Sequence, residues 1–485
     1  MVALDANSIT LQVTPDKATP DERGGVNEAG IEVTPRSAAA QSVAGSRRPE
    51  SASAPTAAPR VSTIAQELSG SLILAIGAEV RALAASGKPV CNLTVGDFSP
   101  SEFSIPKSLL DGITTALQAG QTNYPPSDGI EPLRRAISEF YTRRQNVSYP
   151  VGSVLVTCGA RPAIYGAYRV LVDPGDRVVF PVPSWNNNYY SQLIGAEQVM
   201  VVCGAETSFL PTAGMLKGHL RRARMLVLNS PLNPTGTLFD ADTLAEICDL
   251  VIDENARRER AGGERPLYLL YDQVYWMLTF GDARHVNPVA LRPAIQPYTI
   301  LIDAISKSFA ATGLRVGWAV GPADVIKRMS DVLGHVGTWA PRAEQVATTS
   351  LLNDDAGMDA FHARMRPEVQ KRLDAVARIL TTLQSEGFAV EATAPRGAIY
   401  LSARFNLAGL RTPEGERLDT NESVRRYLLR AAGLAAVQFQ AFGAEDDSGW
   451  FRLSVGAVSI EQIEALLPRL RSALAALGSD ATARR

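Results

Sequence analysis

Cysteine and histidine are scarce in these 485 residues, four of each. Cys91, Cys158, Cys203 and Cys248 show no CxxC spacing, and His219, His285, His335 and His362 are equally scattered. That pattern argues against a disulfide framework and against a Cys/His metal site, and it fits a reducing, cytoplasmic setting. An excess of either charge is missing too. With 48 Lys and Arg against 50 Asp and Glu, the formal net charge of −2 gives no electrostatic reason to expect nucleic acid or an anionic membrane as a partner. No apolar run reaches transmembrane length. What is present is 46% hydrophobic and 20% charged residues, the composition of a globular chain, at a length that suits two or three domains.

Residues 1 to about 60 are poor in aromatics, and "SAAAQSVAGSRRPESASAPTAAPR" is rich in Ala, Ser and Pro, so a disordered tail is expected there. The tail has no apolar core of a secretory signal, and Asp5, Asp16, Asp21, Glu22, Glu28 and Glu32 make it too acidic for a transit peptide. Beyond it, "SLILAIGAEVRALAASGK" puts Leu72, Ile76, Val80 and Leu83 on one helical face and closes at Gly87. Seven short apolar runs follow: "SVLVT", "RVVFP", "QVMVV", "RMLVLN", "LYLLYD", "YTILID" and "RVGWAV". Helical or loop segments separate most of them, so they read as strands of a largely parallel α/β sheet, buried on both faces. After about residue 365 the texture changes to a long helix around "RPEVQKRLDAVARILTTLQSEG", a few short strands and a final helix, "SIEQIEALLPRLRSALAAL". The expected division is a tail (1–60), an N-terminal segment joining the small domain (61–105), a large domain (106–368) and a smaller α+β domain (369–485).

Ligands of such sheets gather at the carboxyl ends of the strands. "LYLLYDQVY" brings Asp272 and Tyr275 there, and "RMLVLNSPLNPTG" brings Asn229 and Asn233. "SVLVTCGARPAIYGAYRVL" passes through Gly159, Ala160 and Arg161 into a helix whose free N–H groups would face an anion. "DAISKSFAATGLRVGW" adds Lys307, between the small residues Ser306 and Ser308, and Arg315. Each residue alone has an ordinary reading: Asp272 as a helix cap, Tyr275 as core, "NPTG" as a turn, Lys307 as a solvated loop residue. Together they form a set that one chemistry requires, pyridoxal 5′-phosphate bound to a lysine as a Schiff base. The lysine carries the aldehyde, the helix start and an arginine hold the phosphate, and a carboxylate keeps the pyridine nitrogen protonated.

The set resembles the fold type I pyridoxal phosphate enzymes, specifically the class I/II aminotransferases of the aspartate aminotransferase superfamily, from about residue 90 to 475. The resemblance implies a large domain with a mostly parallel seven-stranded sheet between helices. It places Gly96, in "NLTVGDFSP", by the substrate carboxylate, and Tyr124, in "TNYPPSDGIEPLRRAI", on the phosphate of a neighbouring subunit, which implies a homodimer. It assigns Trp185, in "PVPSWNNNYY", to stacking on the pyridine ring, and Gly159, Ala160, Arg161, Asn233, Asp272, Tyr275, Ser306, Lys307 and Arg315 to the cofactor. "PRGAIY" looks like the family's P-x-G-A-x-Y stretch, and Arg452, in "FRLSVG", would pair with the substrate α-carboxylate through its planar guanidinium. Lys307, Asp272 and Tyr275 are then the catalytic residues. "GHVGTWAPRAEQ" occupies the region from which relatives send side chains across the dimer interface, and it has two readings: Trp339 packs the interface while Arg342 pairs with a surface carboxylate, or Trp339 walls the side-chain pocket while Arg342 recognises a distal carboxylate of the substrate.

Two departures stand out. Ala304 replaces a Gly or Ser three residues before the lysine, and "VQFQAFG" stands where relatives read a Pro-Gly-x-x-Phe-Gly turn. The function expected is transfer of an amino group from an amino acid to a 2-oxo acid in a ping-pong cycle. A lyase on the same scaffold, such as a carbon–sulfur β-lyase, is the alternative. A ligand-sensing transcription regulator would need a DNA-binding helix pair in front of this region, and residues 1–60 show no basic one.

Overall fold

The computed structural model describes residues 60–478, so the expected tail lies, apart from Arg60, outside the described residues. After a two-residue strand β1 (Cys91–Asn92), the seven apolar runs become β2 (Val154–Thr157), β3 (Arg177–Val182), β4 (Glu197–Val202), β5 (Ala223–Asn229), β6 (Tyr268–Asp272), β7 (Thr299–Ala304) and β8 (Gly317–Val320). They form one sheet in the order β2-β8-β7-β6-β5-β3-β4. β8 is antiparallel to both its neighbours, and the other pairs are parallel. Successive residues of a strand point to opposite faces, so Leu269 and Tyr271 enter one core while Leu270 enters another. That two-sided burial is why the runs are continuous rather than alternating.

β4 is the exception to the expected burial. Met200 is 38% exposed and Val202 76% exposed, because β4 lies at the sheet's edge with β3 as its single neighbour.

The C-terminal part carries β9 (Val390–Ala392), β10 (Tyr400–Phe405), β11 (Leu434–Ala435), β12 (Val437–Gln438) and β13 (Trp450–Ser454). Four of these make an antiparallel sheet, β12-β13-β10-β9, and β11 pairs in parallel with β1, Cys91 opposite Leu434. The N-terminal helix Leu72–Ala85 buries Ile76 and Val80, and its Glu79 accepts from the buried Arg425 at 2.7 Å. The long helix begins at Asp355, earlier than its expected start near Arg366, and runs through Pro367 to Ser385. A proline reads as a first-turn residue. Here, however, Met358, Phe361, Met365 and Val369 keep a buried helical face across it, and packing carries the helix past the lost hydrogen bond. No helix among the described residues is long and apolar enough to cross a membrane.

Candidate active site

The parallel strands end together. Asn229 lies opposite Asp272, Asp272 lies opposite Ile302, and antiparallel β8 starts at the same edge, with Gly317 opposite both Thr157 and Ala304. One edge therefore collects Gly159 after β2, Trp185 after β3, Asn233 after β5, Tyr275 after β6, Lys307 after β7 and Arg315 before β8.

Lys307 sits in the one-turn helix Ile305–Ser308 and donates from Nζ to the Gly96 carbonyl at 2.5 Å. Burial pushes its pKa down to about 8; the nearby Asp97 carboxylate opposes this, and Arg452, Arg161 and Arg315 add to it. Gly96 has no room for a side chain, since a Cβ there would stand 2.8 Å from the Tyr400 hydroxyl and 3.5 Å from Arg452 Nη1. Arg452 is buried. Its Nη2 donates to the Thr94 carbonyl at 2.6 Å and its Nη1 to Asn233 Oδ1 at 3.2 Å. Its guanidinium lies 4.7 Å from the Tyr400 ring and 4.9 Å from the Phe442 ring. Arg452 Nε is buried without a hydrogen-bond partner among the described residues. The hydroxyls of Tyr275 and Tyr400 are 2.6 Å apart, and burial holds Tyr275 well above the ordinary phenol range, so both stay neutral.

Asp272 is buried at the end of β6, where its Oδ1 accepts from the Val274 N–H at 3.2 Å. Burial pushes its pKa up to about 7. Asn229 steadies this edge: its Nδ2 donates to the Asp272 carbonyl at 2.8 Å and its Oδ1 accepts from the Asn233 N–H at 2.8 Å. Asp303, at the end of β7, accepts from Trp276 Nε1 at 2.8 Å and from the Tyr141 hydroxyl at 3.3 Å. The Trp276 bond ties the turn bearing Tyr275 to β7, the strand that leads into the one-turn helix bearing Lys307, and the Tyr141 bond ties the helix Glu131–Gln145 to the same carboxylate.

An anion cradle forms at the start of the helix Ala160–Leu171. Gly159 adopts φ +92°, and a Cβ on it would lie 2.2 Å from Arg315 Nη2, so only glycine allows that approach. Arg315 takes φ +56° and donates to the carbonyls of Thr312 and Cys158 at 2.7 and 3.0 Å. The Arg161 guanidinium lies 4.9 Å from the half-buried Trp185 ring, and Ser306 is buried beside Lys307. Ala304 closes β7 with its N–H on Asp303 Oδ1, and no hydroxyl stands at that position. "VQFQAFG" forms β12 and a 3-10 turn, Phe439–Phe442, that ends at Gly443 with φ +86° and presents Phe442 to Arg452.

Three expected residues group apart from this cluster. Tyr124, 81% exposed, meets Trp339 edge-on at 5.1 Å, and Arg342 Nε donates to Gln121 Oε1 at 2.7 Å. Among the described residues no hydrogen bond joins Tyr124, Trp339 or Arg342 to Lys307, Asp272 or Arg452. Their stretch does abut the anion cradle, because the Cys158 N–H donates to the Thr338 carbonyl at 2.8 Å. Sequence reasoning missed Tyr400, Asp97, Phe442 and Asp303 as site residues. The signal for Tyr400 was in "PRGAIY", and for Asp97 in "VGDFSP".

Residues 88–470 match the family Aminotransferase class I and II. The chain belongs to that family. The aspartate aminotransferase of Geobacillus stearothermophilus is 32% identical over 410 residues, which cover 83% of this chain and 96% of that protein. The Rhizobium meliloti (strain 1021) aspartate aminotransferase is 30% identical over 399 residues, covering 81% of this chain and 91% of that protein. A crystal structure of a Rhizobium meliloti aspartate aminotransferase superposes with a TM-score of 0.78 at 27% identity, covering 87% of this chain and all of that one. An aromatic aminotransferase from Pyrococcus horikoshii OT3 gives 0.71 at 26% identity, covering 82% of this chain and 98% of that one. This aminotransferase has the fold type I architecture, depends on pyridoxal 5′-phosphate, and moves an amino group from an amino acid to a 2-oxo acid. The relatives do not favour the lyase alternative. The strand edge fits the cofactor: a lysine whose pKa burial lowers to about 8, a buried carboxylate with no cation bonded to it among the described residues, and a glycine-lined helix start backed by Arg315.

Proposed function

We propose that Lys307 holds the cofactor covalently and afterwards carries the proton between the substrate Cα and the cofactor. The observation behind this is its Nζ, pressed on Gly96 and next to Arg452 in a buried cluster that lowers its pKa to about 8. A lysine so placed is neutral often enough near pH 8 to act as a base. When bound, the cofactor supplies the ring that accepts the electrons released at Cα. Asp272 would pair with the ring nitrogen, Asn233 and Tyr275 with the ring hydroxyl, and Trp185 with the ring face. Gly159, Ala160, Arg161, Ser306 and Arg315 would hold the phosphate. Arg452, already flanked by Tyr400 and Phe442, would take the substrate α-carboxylate beside Gly96. Lys307→Ala should abolish both turnover and the protein-bound visible absorbance; a variant retaining both would exclude this role.

The same reading makes the molecule a cytoplasmic homodimer. Tyr124, Leu74, Leu110 and Leu117 are all more than half exposed, and large apolar side chains left exposed are what a second subunit covers. Tyr124 would complete the neighbour's phosphate site, while Trp339 and Arg342 would reach the distal end of a dicarboxylic substrate there. The relatives named aspartate aminotransferases support one dicarboxylic substrate. Four free cysteines fit the reducing compartment. We place the large unit at 106–368 and the small one at 369–485 with segment 61–105, which β1 joins to β11; the helix Asp355–Ser385 runs across the junction. Sedimentation should give a dimer, and a fully active monomer would exclude the shared site.

A further inference from the structure

The buried carboxyl of Asp303 is bonded by three donors and has no part in the chemistry proposed above. Its Oδ1 accepts from the Ala304 N–H at 2.7 Å, and its Oδ2 accepts from Trp276 Nε1 at 2.8 Å and from the Tyr141 hydroxyl at 3.3 Å. Tyr141 in turn accepts from Trp318 Nε1 at 2.9 Å. An indole N–H only donates, so the chain has one direction: Trp318 gives to Tyr141, Tyr141 gives its own proton to Asp303, and Trp276 gives to the same oxygen. Asp303, Tyr141 and Trp318 are each at most 1% exposed, and no Lys, Arg or His pairs with the carboxyl among the described residues. The titratable groups around it are Tyr141, Asp272 from β6 and, 6.0 Å from the Trp276 ring, His285, whose pKa burial lowers to about 3.

The network touches three segments that carry site residues. Trp276 follows Tyr275 in the turn after β6, β7 runs from Asp303 through Ala304 into the one-turn helix of Lys307, and Trp318 lies in β8 three residues after Arg315. Asp303 shares a face of β7 with Leu301, which enters one core, while Ile302, opposite Asp272, enters the other. The two carboxyls thus project from opposite faces of the sheet, and Asp303 acts through the residues it holds. We propose that Asp303 is a positioning residue, which by receiving Trp276 and Tyr141 on one oxygen fixes where Tyr275 stands relative to Lys307. The inference rests on the reading of Lys307 and Tyr275 as partners of the cofactor. Tyr275 is held at its tip by the Tyr400 hydroxyl at 2.6 Å and at its base by the turn, in which the Trp276 N–H donates to the Gln273 carbonyl at 2.9 Å. Without the indole bond that base is free to shift, and a displacement of about 1 Å at a reacting group costs on the order of 100-fold in rate.

The test compares Trp276→Phe, Asp303→Asn and a reference, Tyr275→Phe, as holoenzymes. Trp276→Phe deletes the indole N–H and keeps a ring against Phe140, whose centroid is 5.6 Å away. Asp303→Asn turns an amide donor towards donors. Each should lower kcat and kcat/KM together by at least about tenfold with KM unchanged, since Arg452 still anchors the substrate. The double variant should be no slower than the slower single one, because both remove the same bond. The readout apart from turnover is the pH midpoint of the visible band of the bound cofactor. A Tyr275 hydroxyl donating to the ring oxygen favours that oxygen's anionic state, so Tyr275→Phe should raise the midpoint, and Trp276→Phe should raise it too, by about 0.5 pH unit or more. Should Asp303→Asn not fold, Trp276→Phe decides alone. A parental midpoint in Trp276→Phe, while Tyr275→Phe shifts it, would overturn the inference whatever the change in kcat. Failure of the underlying reading shows differently: Tyr275→Phe would itself leave the midpoint in place, and the inference would fall with it.

Discussion

Replacing Asp272 by Asn should act in opposite directions on the cofactor-free and the loaded enzyme. Burial holds the Asp272 carboxyl at a pKa of about 7 against an ordinary 3.8. The folded chain therefore binds more protons than the unfolded chain between those values, and by linkage its stability falls as pH rises from 3.8 through 7. The loss is complete above about pH 7 and absent below 3.8. Roughly three units at about 1.36 kcal/mol each make the carboxylate a liability on the order of 4 kcal/mol in the cofactor-free protein at pH 8. Asn removes the charge and keeps the shape. Chemical denaturation of cofactor-free protein should show Asp272→Asn more stable than the parent by a few kcal/mol at pH 8, with the gap more than halved at pH 5. The loaded enzyme should lose most of its rate of Cα proton removal, because the group that holds the ring nitrogen protonated is gone. A cofactor-free Asn variant less stable than the parent at pH 8 would refute the reasoning, since it would mean that the folded chain itself supplies the carboxylate with a partner.

Two further outcomes follow from the same geometry. Only a neutral amine attacks an aldehyde, so cofactor capture by cofactor-free protein should quicken with pH and level off near the Lys307 pKa of about 8; a rise continuing to the ordinary lysine value would contradict the burial argument. Gly96→Ala would put a Cβ 2.8 Å from the Tyr400 hydroxyl, so urea denaturation should show a loss of about 1–3 kcal/mol together with a raised substrate KM, and unchanged values of both would show that the cluster yields.

The large sheet was legible because strands buried on both faces leave uninterrupted apolar runs, and its polar residues stand at strand ends, where a side chain without a packing role is conspicuous. β4 misled for the same reason in reverse: "QVMVV" is as apolar as its neighbours, and nothing local marks it as an edge. Asp272 ends its strand, and Lys307, Asn233 and Tyr275 follow theirs by only a few residues, so a one-dimensional reading places them on one edge. Tyr400, Phe442 and Thr94 converge on Arg452 from distant parts of the chain. In sequence Phe442 and Thr94 are an aromatic in a turn and a threonine, indistinguishable from core, and Tyr400 is marked only by its place in "PRGAIY". Asp303 was hidden as the last residue of an apolar run, and its role became visible only through the bonds from Trp276 and Tyr141. The helix start at Asp355 was obscured by Pro367, whose local preference is overridden by the buried face on either side of it.

The account stands or falls on which lysine carries the cofactor. Borohydride reduction of the purified holoenzyme, followed by proteolysis and mass mapping, reads this directly. The cofactor mass should appear on the peptide containing "ISKSF", at Lys307, and should vanish from that peptide in Lys307→Ala. A stable label on any other lysine of the unaltered enzyme, with Lys307 unmodified, would contradict the assignment of the site at its centre.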